Sequence, residues 1–510
     1  MAKYRLRLWL GLWAIFGWTL WAEWASAQTY AIVVSESTVS DPAWNEVVET
    51  LASKHTAASR TIQCITWKTN VEESLDSLRK TFPKWICFVA TPTEATGGFV
   101  RRVHRMTRTL DDDPYTDSYW GILTGYSAES ALRIAKQSEP LVIRRAASGT
   151  SFALQRCEEG VWYSETTQNE IATKDRGAEP VVTQDGPDDT TRVLAESLTT
   201  ADLFITSGHA TQRDWQIGFT YRNGQFRCKD GRLYGLNTAN EEIPIEAPNP
   251  KVYLAIGNCL MGDIDGPDAM ALAWLNNAGV DQMVGYTVPT WYGYGGWGIL
   301  DYFIEQPGRF SLTESFYANN QAIIYRLETY FPGLLEQLRQ AEQSAERTGD
   351  GRISLQIPLH ETAKSAGLTP QDGVGLLYDL ETVAFYGDPA WDARLAAQPQ
   401  SWDQNLTVEP ISIEPGIEKT EEMGGDVYTL EIVPNQGDAS FAPINTNGSQ
   451  RGGRPIFVPF PNRINAASVE ITEGSERSPV ITDRFMILAQ PDPKSKEKPI
   501  RIRFTATLAR

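Results

Sequence analysis

Short apolar runs alternate with amphipathic segments from Thr29 onward. The runs have the length and the β-branched, aromatic composition of buried strands, as in "YAIVVSE", "TIQCITW" and "KWICFVA". Asp41 followed by Pro42 marks a helix start, because aspartate caps free N–H groups and proline in the first turn has no N–H that needs a partner. This βαβ alternation predicts a mostly parallel sheet that is flanked by helices.

The alternation continues to about residue 398. Helical spacing over 127–136, 190–199 and 267–277 is interleaved with apolar runs such as "DLFITS" and "VYLAIG". Between those two runs lies "YRNGQFRCKDGRLYG", whose Asn-Gly and Asp-Gly dipeptides favour tight turns. We therefore expect a hairpin insertion between two strands of the sheet.

The composition and the hydrophobic pattern of the chain change beyond residue 400. Pro, Asn and Gly become frequent, and short alternating runs such as "VYTLEIV" and "IRIRFTATL" replace helical spacing. This pattern predicts an all-β, sandwich-like domain. We expect an N-terminal α/β subdomain at 28–140, a second α/β subdomain at 141–398 and the β-sandwich at 399–510.

The N-terminus has the features of an export signal. Three basic residues among the first seven precede an apolar run over 8–22, and "ASAQ" offers small residues for cleavage before Gln28. A permanent membrane anchor is the alternative interpretation, but the run is shorter than the roughly 20 residues of a membrane span and is followed by Glu23. Residues 1–27 are thus predicted to be a signal peptide, and the mature protein is expected to be secreted, periplasmic or held in the cell envelope, without a stable membrane span.

Charge and cysteine content limit the function classes. The net charge of −18 argues against a nucleic-acid binder, because such proteins carry clustered Lys and Arg. The chain has five cysteines, an odd number, so an exported chain leaves at least one thiol free unless it pairs between molecules. Their spacing lacks the CxxC pattern that is typical of zinc sites.

Two predicted strands end in reactive side chains. "DLFITSGHA" delivers His209 and "VYLAIGNC" delivers Cys259, and the carboxyl ends of parallel strands are where functional groups gather. A thiol needs a base or a cation to favour its thiolate, and an imidazole supplies both charge support and a proton for a leaving amine. The alternative for Cys259 is a buried apolar filler, which is the common fate of a free cysteine.

Backbone groups beside these side chains complete the chemistry. Gly208 and Gly257 allow N–H groups to approach a developing oxyanion. A helix that opens near Pro267 would place its positive N-terminus after Cys259.

Four segments together resemble the catalytic domain of gingipain-type cysteine peptidases, of the caspase-like group. They are "ITSGHA", "YLAIGNCLMGD", "MVGYTVPTWYGYGGWG" and "FYGDPAW". The similarity covers roughly residues 30–395 and implies that 141–398 is a caspase-like catalytic subdomain. By this resemblance Cys259 is the nucleophile and His209 the catalytic histidine. The oxyanion hole would use the N–H of Cys259 and of Gly208 or its neighbour Ala210.

The resemblance also implies a pocket for the substrate side chain that precedes the cut. The aromatic segment 287–297 matches its wall, with Trp291, Tyr292 and Trp297 as the candidates for contact. A preference for a basic residue requires a carboxylate, for which Glu158 and Glu159 are the nearest in chain order. Aromatic packing under a loop and a solvated glutamate pair are the alternatives.

The sequence departs from the family in two places. Ala210 follows the histidine where glycine is usual, which matters only if that position needs a positive φ. The strand end that would carry a third catalytic acid has Ser148 and no carboxylate. Asp263 or Asp214 could orient the imidazole instead, or the enzyme works as a dyad.

These features predict an exported cysteine endopeptidase that cleaves protein or peptide substrates through an acyl-enzyme. The first alternative is a catalytically inactive relative that serves as a binding or scaffold protein of the envelope. The second is a metal site of His209, Cys259 and Asp263, whose spacing is not a known ligand signature. No cofactor is expected, although the acidic loop 111–117 suits a structural calcium ion if it is not simply a solvated turn.

Overall fold

The computed structural model describes residues 28–348, 355–411, 425–435, 441–492 and 499–509. The predicted signal peptide, 1–27, lies outside the described residues. The helices are α1 (Glu36–Ser40), α2 (Pro42–Ala57), α3 (Leu75–Thr81), α4 (Gly97–Met106), α5 (Ala128–Lys136), α6 (Thr191–Ser197), α7 (Met270–Asn277), α8 (Trp297–Phe303), α9 (Leu312–Tyr330), α10 (Leu334–Thr348), α11 (Glu361–Ser365) and α12 (Pro370–Asp379).

The strands of the α/β region and its insertion come first along the chain. They are β1 (Thr29–Ser35), β2 (Thr61–Trp67), β3 (Trp85–Val89), β4 (Tyr119–Leu123), β5 (Leu141–Ile143), β6 (Arg145–Ser148), β7 (Glu159–Tyr163), β8 (Ile171–Lys174), β9 (Val181–Thr183), β10 (Leu203–Thr206), β11 (Asp214–Gln216), β12 (Gln225–Lys229), β13 (Arg232–Leu236), β14 (Glu242–Pro244), β15 (Lys251–Ala255), β16 (Val280–Tyr286), β17 (Val383–Tyr386) and β18 (Ala393–Leu395). The C-terminal strands are β19 (Trp402–Pro410), β20 (Asp426–Pro434), β21 (Ile456–Pro459), β22 (Glu470–Glu473), β23 (Val480–Ile481), β24 (Phe485–Leu488) and β25 (Ile500–Ala506).

One large sheet organises the α/β region. Its strand order is β2-β1-β3-β4-β17-β16-β15-β10-β6-β7-β8-β9, so it runs through both of the predicted α/β subdomains. Within the described residues, eight neighbouring pairs are parallel and three are antiparallel, with β17 antiparallel to β16. The predicted α/β class with a mostly parallel sheet is thus confirmed.

Local signals explain where elements begin. The Asp41 side chain accepts a hydrogen bond of 2.8 Å from the Ala43 N–H and caps α2, as the Asp-Pro pair predicts. The turn at Asp230 and Gly231 joins β12 and β13, which confirms the hairpin insertion. The helix predicted over 267–277 begins three residues later, at Met270, so its N-terminus does not directly follow Cys259.

The C-terminal region consists of two antiparallel sheets that share one core. A four-stranded sheet has the order β19-β20-β25-β22, and a three-stranded sheet has the order β21-β24-β23. Along β20 every second side chain is buried, with Tyr428, Leu430 and Ile432 facing inward. They pack in one cluster with Val458 and Met486 of the other sheet, an arrangement typical of a sandwich.

A buried ion network lies beyond the end of β17. The Asp388 carboxylate is 2.7 Å from Lys54 Nζ and 2.9 Å from His55 Nε2, and it accepts a hydrogen bond of 2.8 Å from the Tyr30 hydroxyl. Burial alone would raise the pKa of Asp388, but the neighbouring Lys54 and His55 outweigh it and hold that pKa well below its ordinary range. The "GDPAW" segment is therefore tied to α2 through charge.

Among the helices of the described residues, none combines the length and the apolar character that crossing a bilayer needs.

Candidate active site

His209 and Cys259 lie beyond the carboxyl ends of two adjacent strands. β10 and β15 pair in parallel, and their last residues, Thr206 and Ala255, are opposite each other. A glycine lies in the turn that follows each strand, Gly208 after β10 and Gly257 after β15. The fold therefore brings both reactive side chains to one edge of the sheet.

A buried amide joins the two turns. The Asn258 Oδ1 atom accepts a hydrogen bond of 2.5 Å from the Thr206 hydroxyl, and Asn258 Nδ2 donates to the Gly208 carbonyl at 3.2 Å. Asn258 has no exposed surface. Because it stands next to Cys259 and holds the carbonyl next to His209, this side chain fixes one turn relative to the other. No local sequence pattern singles out this asparagine.

Cys259 is not a core filler. It is partly exposed, and its Sγ accepts a hydrogen bond of 3.2 Å from the Thr290 N–H. An N–H that donates to sulfur stabilises negative charge on it. Cys87 and Cys157, by contrast, are buried, and burial raises the pKa of both thiols, that of Cys157 to about 12.

The turn after Cys259 is held in an unusual conformation. Leu260 has a φ of 58°, a left-handed value that non-glycine residues rarely adopt. Its N–H donates to the Val288 carbonyl at 3.1 Å, and Gly262 donates to the Tyr286 carbonyl at 2.8 Å. A Cβ on Gly262 would lie 2.2 Å from the Gly285 carbonyl oxygen, so only glycine fits there. Strain of this kind is typical of functional sites.

The His209 imidazole is exposed and packs against one aromatic ring. The centroids of His209 and Phe219 are 4.6 Å apart, with 33° between the ring planes. Within the described residues, no carboxylate hydrogen-bonds the imidazole. Gly208 has a φ of 93°, a glycine conformation, whereas Ala210 does not have a positive φ, so alanine causes no backbone strain there.

The expected orienting acids are engaged elsewhere. Asp214 accepts a hydrogen bond from the Thr211 hydroxyl at 3.1 Å, and Asp263 accepts one from Gln212 Nε2 at 3.0 Å. The Ser148 hydroxyl is buried and donates to the carbonyls of neighbouring main chain. The structure therefore does not support Asp214 or Asp263 as the residue that orients His209.

A different carboxylate lies at this edge. Glu165 follows β7, and its Oε2 atom would be 3.4 Å from a Cβ on Gly208. That oxygen is buried and has no hydrogen-bond partner within the described residues. Burial raises the pKa of Glu165 to about 7, although hydrogen bonds with Thr150 and Ser207 oppose the rise. In the sequence, its only signal is a carboxylate that follows a short apolar and aromatic run, "VWYSE".

Glu158 and Glu159 do not belong to this site, which corrects the sequence-based expectation. Glu159 is the first residue of β7 and pairs with Arg145 at the start of β6. Its carboxylate is 3.2 Å from Arg145, and that of Glu158 is 2.7 Å from Arg144. Both glutamates therefore lie at the amino ends of these strands, opposite the edge that carries His209.

The aromatic segment 287–297 divides into exposed and packed residues. Trp291 is 73% exposed and follows Thr290, whose N–H contacts Cys259. Trp297 is partly buried, and its Nε1 would lie 2.9 Å from a Cβ on Gly257. Tyr292 instead packs on Tyr378 of α12, with 5.7 Å between the ring centroids. Of the expected pocket residues, Trp291 and Trp297 thus lie nearest the strand ends.

Main-chain N–H groups near the reactive side chains are available as donors. Within the described residues, the N–H groups of Gly208 and Cys259 donate to no backbone carbonyl. Such donors at the ends of adjacent strands are what an oxyanion hole requires. The N–H of Ala210, the third expected contributor, likewise has no backbone acceptor among the described residues, because its bridge with Trp215 is formed by the N–H groups of Thr211 and Gln216.

The acidic loop 111–117 is the one group of three or more potential metal-ligating residues within the described residues. Ligand atoms of Asp111, Asp113 and Asp117 all lie within 4.8 Å of one another. Burial, followed by the charge of Asp111, raises the pKa of Asp113 to about 7. Clustered carboxylates could hold a hard cation such as calcium. The loop leads into β4, which is three strands away from β15 in the sheet order.

Comparison with solved structures finds a similarity to the Arg-specific cysteine proteinase gingipain R (RGPB). It is 10% identical in sequence, covers 92% of this chain and 93% of that chain, and has a TM-score of 0.43. No protein-family model and no curated protein sequence matches the chain.

Proposed function

We propose that this protein is a cysteine-type endopeptidase with Cys259 as the nucleophile and His209 as the acid–base residue. The observation that carries the proposal is the pair of adjacent strand ends, which present a thiol and an imidazole on turns that Asn258 ties together. The free N–H groups of Gly208 and Cys259 support it.

The reaction follows from these positions. The Cys259 thiolate attacks the scissile carbonyl carbon, and the oxyanion accepts hydrogen bonds from the main-chain N–H groups. The C–N bond then breaks, and the His209 imidazolium gives its proton to the leaving amine. Water attacks the thioester, His209 takes a proton from that water, and the Cys259 thiolate leaves as the carboxylic acid product forms.

We assign to Glu165 the role that the sequence suggested for Glu158 or Glu159, that of the carboxylate that binds a basic substrate side chain. Its unpartnered buried oxygen lacks a donor, which a basic substrate side chain preceding the cut would supply. A bound cation would also favour the charged carboxylate and so lower its raised pKa. Peptides with Arg or Lys before the cut should therefore be preferred over Leu or Asn. Glu165→Gln should remove that preference, while Glu158→Gln should leave it intact.

The nucleophile is tested by labelling with a peptidyl electrophile that is specific for activated thiols, followed by peptide mapping. We expect modification at Cys259, and its loss in Cys259→Ala and in His209→Ala. Cys228→Ala serves as the matched control, because this thiol is also partly exposed but donates to the Asp268 carbonyl at 2.8 Å. Peptide hydrolysis should vanish in Cys259→Ala, and hydrolysis that persists in this variant would refute the proposal.

An inactive binding or scaffold protein is the second candidate. The observation in its favour is the imidazole of His209, which no carboxylate orients within the described residues. This candidate predicts that the thiol electrophile labels Cys259 no faster than it labels Cys228, and that no peptide is hydrolysed.

Export is part of the proposal. It rests on the basic start, the apolar run and the small residues before Gln28. The mature chain should begin at Gln28 or within two residues of it, which intact-mass measurement of the protein recovered from its native location would establish.

A further inference from the structure

An apolar side chain is displayed beside the candidate acid–base residue. Phe219 is 47% exposed, although large apolar side chains are usually covered. Its ring packs on the His209 imidazole with a centroid distance of 4.6 Å. It belongs to the segment 217–224 between β11 and β12, which we call the Phe219 turn.

The Phe219 turn is firmly anchored. The Phe219 N–H donates to the Glu165 carbonyl at 2.5 Å, and the Tyr221 hydroxyl donates to the Ser164 carbonyl at 2.7 Å. Gly218 has a φ of 84°, and a Cβ there would lie 3.0 Å from the Tyr221 carbonyl oxygen. An exposed ring on an anchored turn is preorganised for contact, since little conformational entropy is lost when a ligand covers it.

The position of Phe219 determines which part of a substrate it can meet. In the proposed reaction, His209 gives its proton to the leaving nitrogen, so the imidazole lies on the side of the scissile bond that departs. The side chain of the first residue after the cut is attached to the carbon bonded to that nitrogen. In the proposed reaction this side chain thus lies on the His209 side of the scissile bond, where the Phe219 ring contacts the imidazole.

We propose that Phe219 forms the subsite for the residue immediately C-terminal to the cut, and that this subsite selects an apolar side chain. The inference rests on the proposed peptidase function, because it places the substrate by the role of His209. Contact between two apolar surfaces removes both from water, and discrimination by apolar contact starts at about tenfold in kcat/KM.

The test uses the full chain and internally quenched peptides that differ only in the residue after the cut. Peptides with Leu or Phe there should be cleaved about tenfold faster, in kcat/KM, than peptides with Gly or Asp. Phe219→Ala should reduce this ratio to about twofold or less, and Phe219→Tyr should keep it. The ratio isolates the subsite, because a shift of the His209 ring would slow all of the peptides together.

Ile471→Ala is the matched control, because Ile471 is also an exposed apolar residue, at 37%, but lies on β22 of the C-terminal sandwich. It should leave the ratio unchanged. A wild-type protein that cleaves all peptides equally, or a Phe219→Ala variant with the full preference, overturns the subsite while the peptidase function stands.

Binding separates failure of the subsite from failure of the proposed function. Fluorescent versions of the same peptides are titrated into Cys259→Ala, which cannot cleave them. Preference for Leu over Gly in this titration, with no hydrolysis by the wild type, would refute the peptidase and, with it, a subsite defined by the cut, and would leave only an apolar binding site. Absence of any preference in both assays refutes the subsite.

Discussion

Asn258 is the residue whose replacement most directly tests how the site is built. Asn258→Ala removes the hydrogen bond from the Thr206 hydroxyl and the one to the Gly208 carbonyl. Each is worth about 1 kcal/mol net, and the Gly208 carbonyl loses a donor in a partly buried position, so we expect a loss of about 2–3 kcal/mol in the free energy of unfolding. Thr206 keeps a partner, since its hydroxyl also meets the Tyr253 hydroxyl at 2.8 Å.

The larger effect is expected on catalysis. Without the amide, the turn that carries His209 and the turn that carries Cys259 are free to move independently, and a displacement of about 1 Å costs roughly a hundredfold in rate. Asn258→Asp should be nearly as damaging, because its carboxylate still accepts from Thr206 but cannot donate to the Gly208 carbonyl. Urea denaturation gives the stability, and kcat/KM on a fluorogenic peptide gives the activity.

Asn277→Ala provides the control for destabilisation alone. Its side chain also bridges main chain, donating to the Ile245 carbonyl at 2.7 Å and accepting from the Leu233 N–H at 2.9 Å, but it lies at the end of α7. We expect a similar loss of stability and an unchanged kcat/KM. Equal effects of Asn258→Ala and Asn277→Ala on kcat/KM would show that Asn258 does not align the two turns.

Three further predictions concern buried charge. Asp388→Asn should lower stability at pH 7 by about 3 kcal/mol, because Lys54 and His55 lose the carboxylate that pairs with them. The difference should shrink below about pH 4, because the wild type loses this stability as the pH falls below the ordinary pKa of an aspartate toward the depressed pKa of Asp388. Asp113→Asn should stabilise the protein at pH 8 by about 1–2 kcal/mol and leave it unchanged at pH 4, because a raised pKa contributes stability that is lost as pH rises from about 4 to 7. Lys251→Met should cost about 3 kcal/mol, because Nζ donates to three buried main-chain carbonyls. Each prediction would be contradicted if the denaturation midpoint of the variant equalled that of the wild type at the pH where a difference is expected.

Local pattern predicted elements such as α2 and β15, but neither the strands β7, β8 and β9 nor the order of the strands in the sheet. The Asp41 cap and the apolar run of β15 are signals within a few residues, and both appear where the sequence places them. The position of β17 between β4 and β16 depends on pairing between residues about a hundred or more apart in sequence, as with Tyr386 and Met283. Periodicity does not contain that information, so the antiparallel strand inside the parallel sheet was not anticipated.

The contrast between local signals and long-range strand pairing also explains which residues of the candidate site could be predicted. His209 and Cys259 could be predicted because each directly follows its own strand, whereas Glu165 joins them only because β6 and β7 lie next to β10 in the sheet. Glu158 and Glu159 were favoured by distance along the chain, but β7 begins at Glu159 and its length carries the two ends to opposite edges. Six residues of extended chain span about 20 Å. This distance separates Glu165, at the candidate site, from Glu159, which pairs with Arg145 at the other edge.

The conformation of the turn that carries Cys259 also depends on a segment far from it in sequence. Leu260 and Gly262 donate to main-chain carbonyls of Val288 and Tyr286, and the Thr290 N–H donates to the Cys259 sulfur. The turn that bears the thiol is therefore hydrogen-bonded to the end of β16 and to the segment that follows it. Trp291 follows Thr290 directly and is exposed. In the proposed reaction, a substrate that contacts this ring would therefore bear on the same segment that holds the Cys259 turn, in which Leu260 keeps a left-handed φ of 58°.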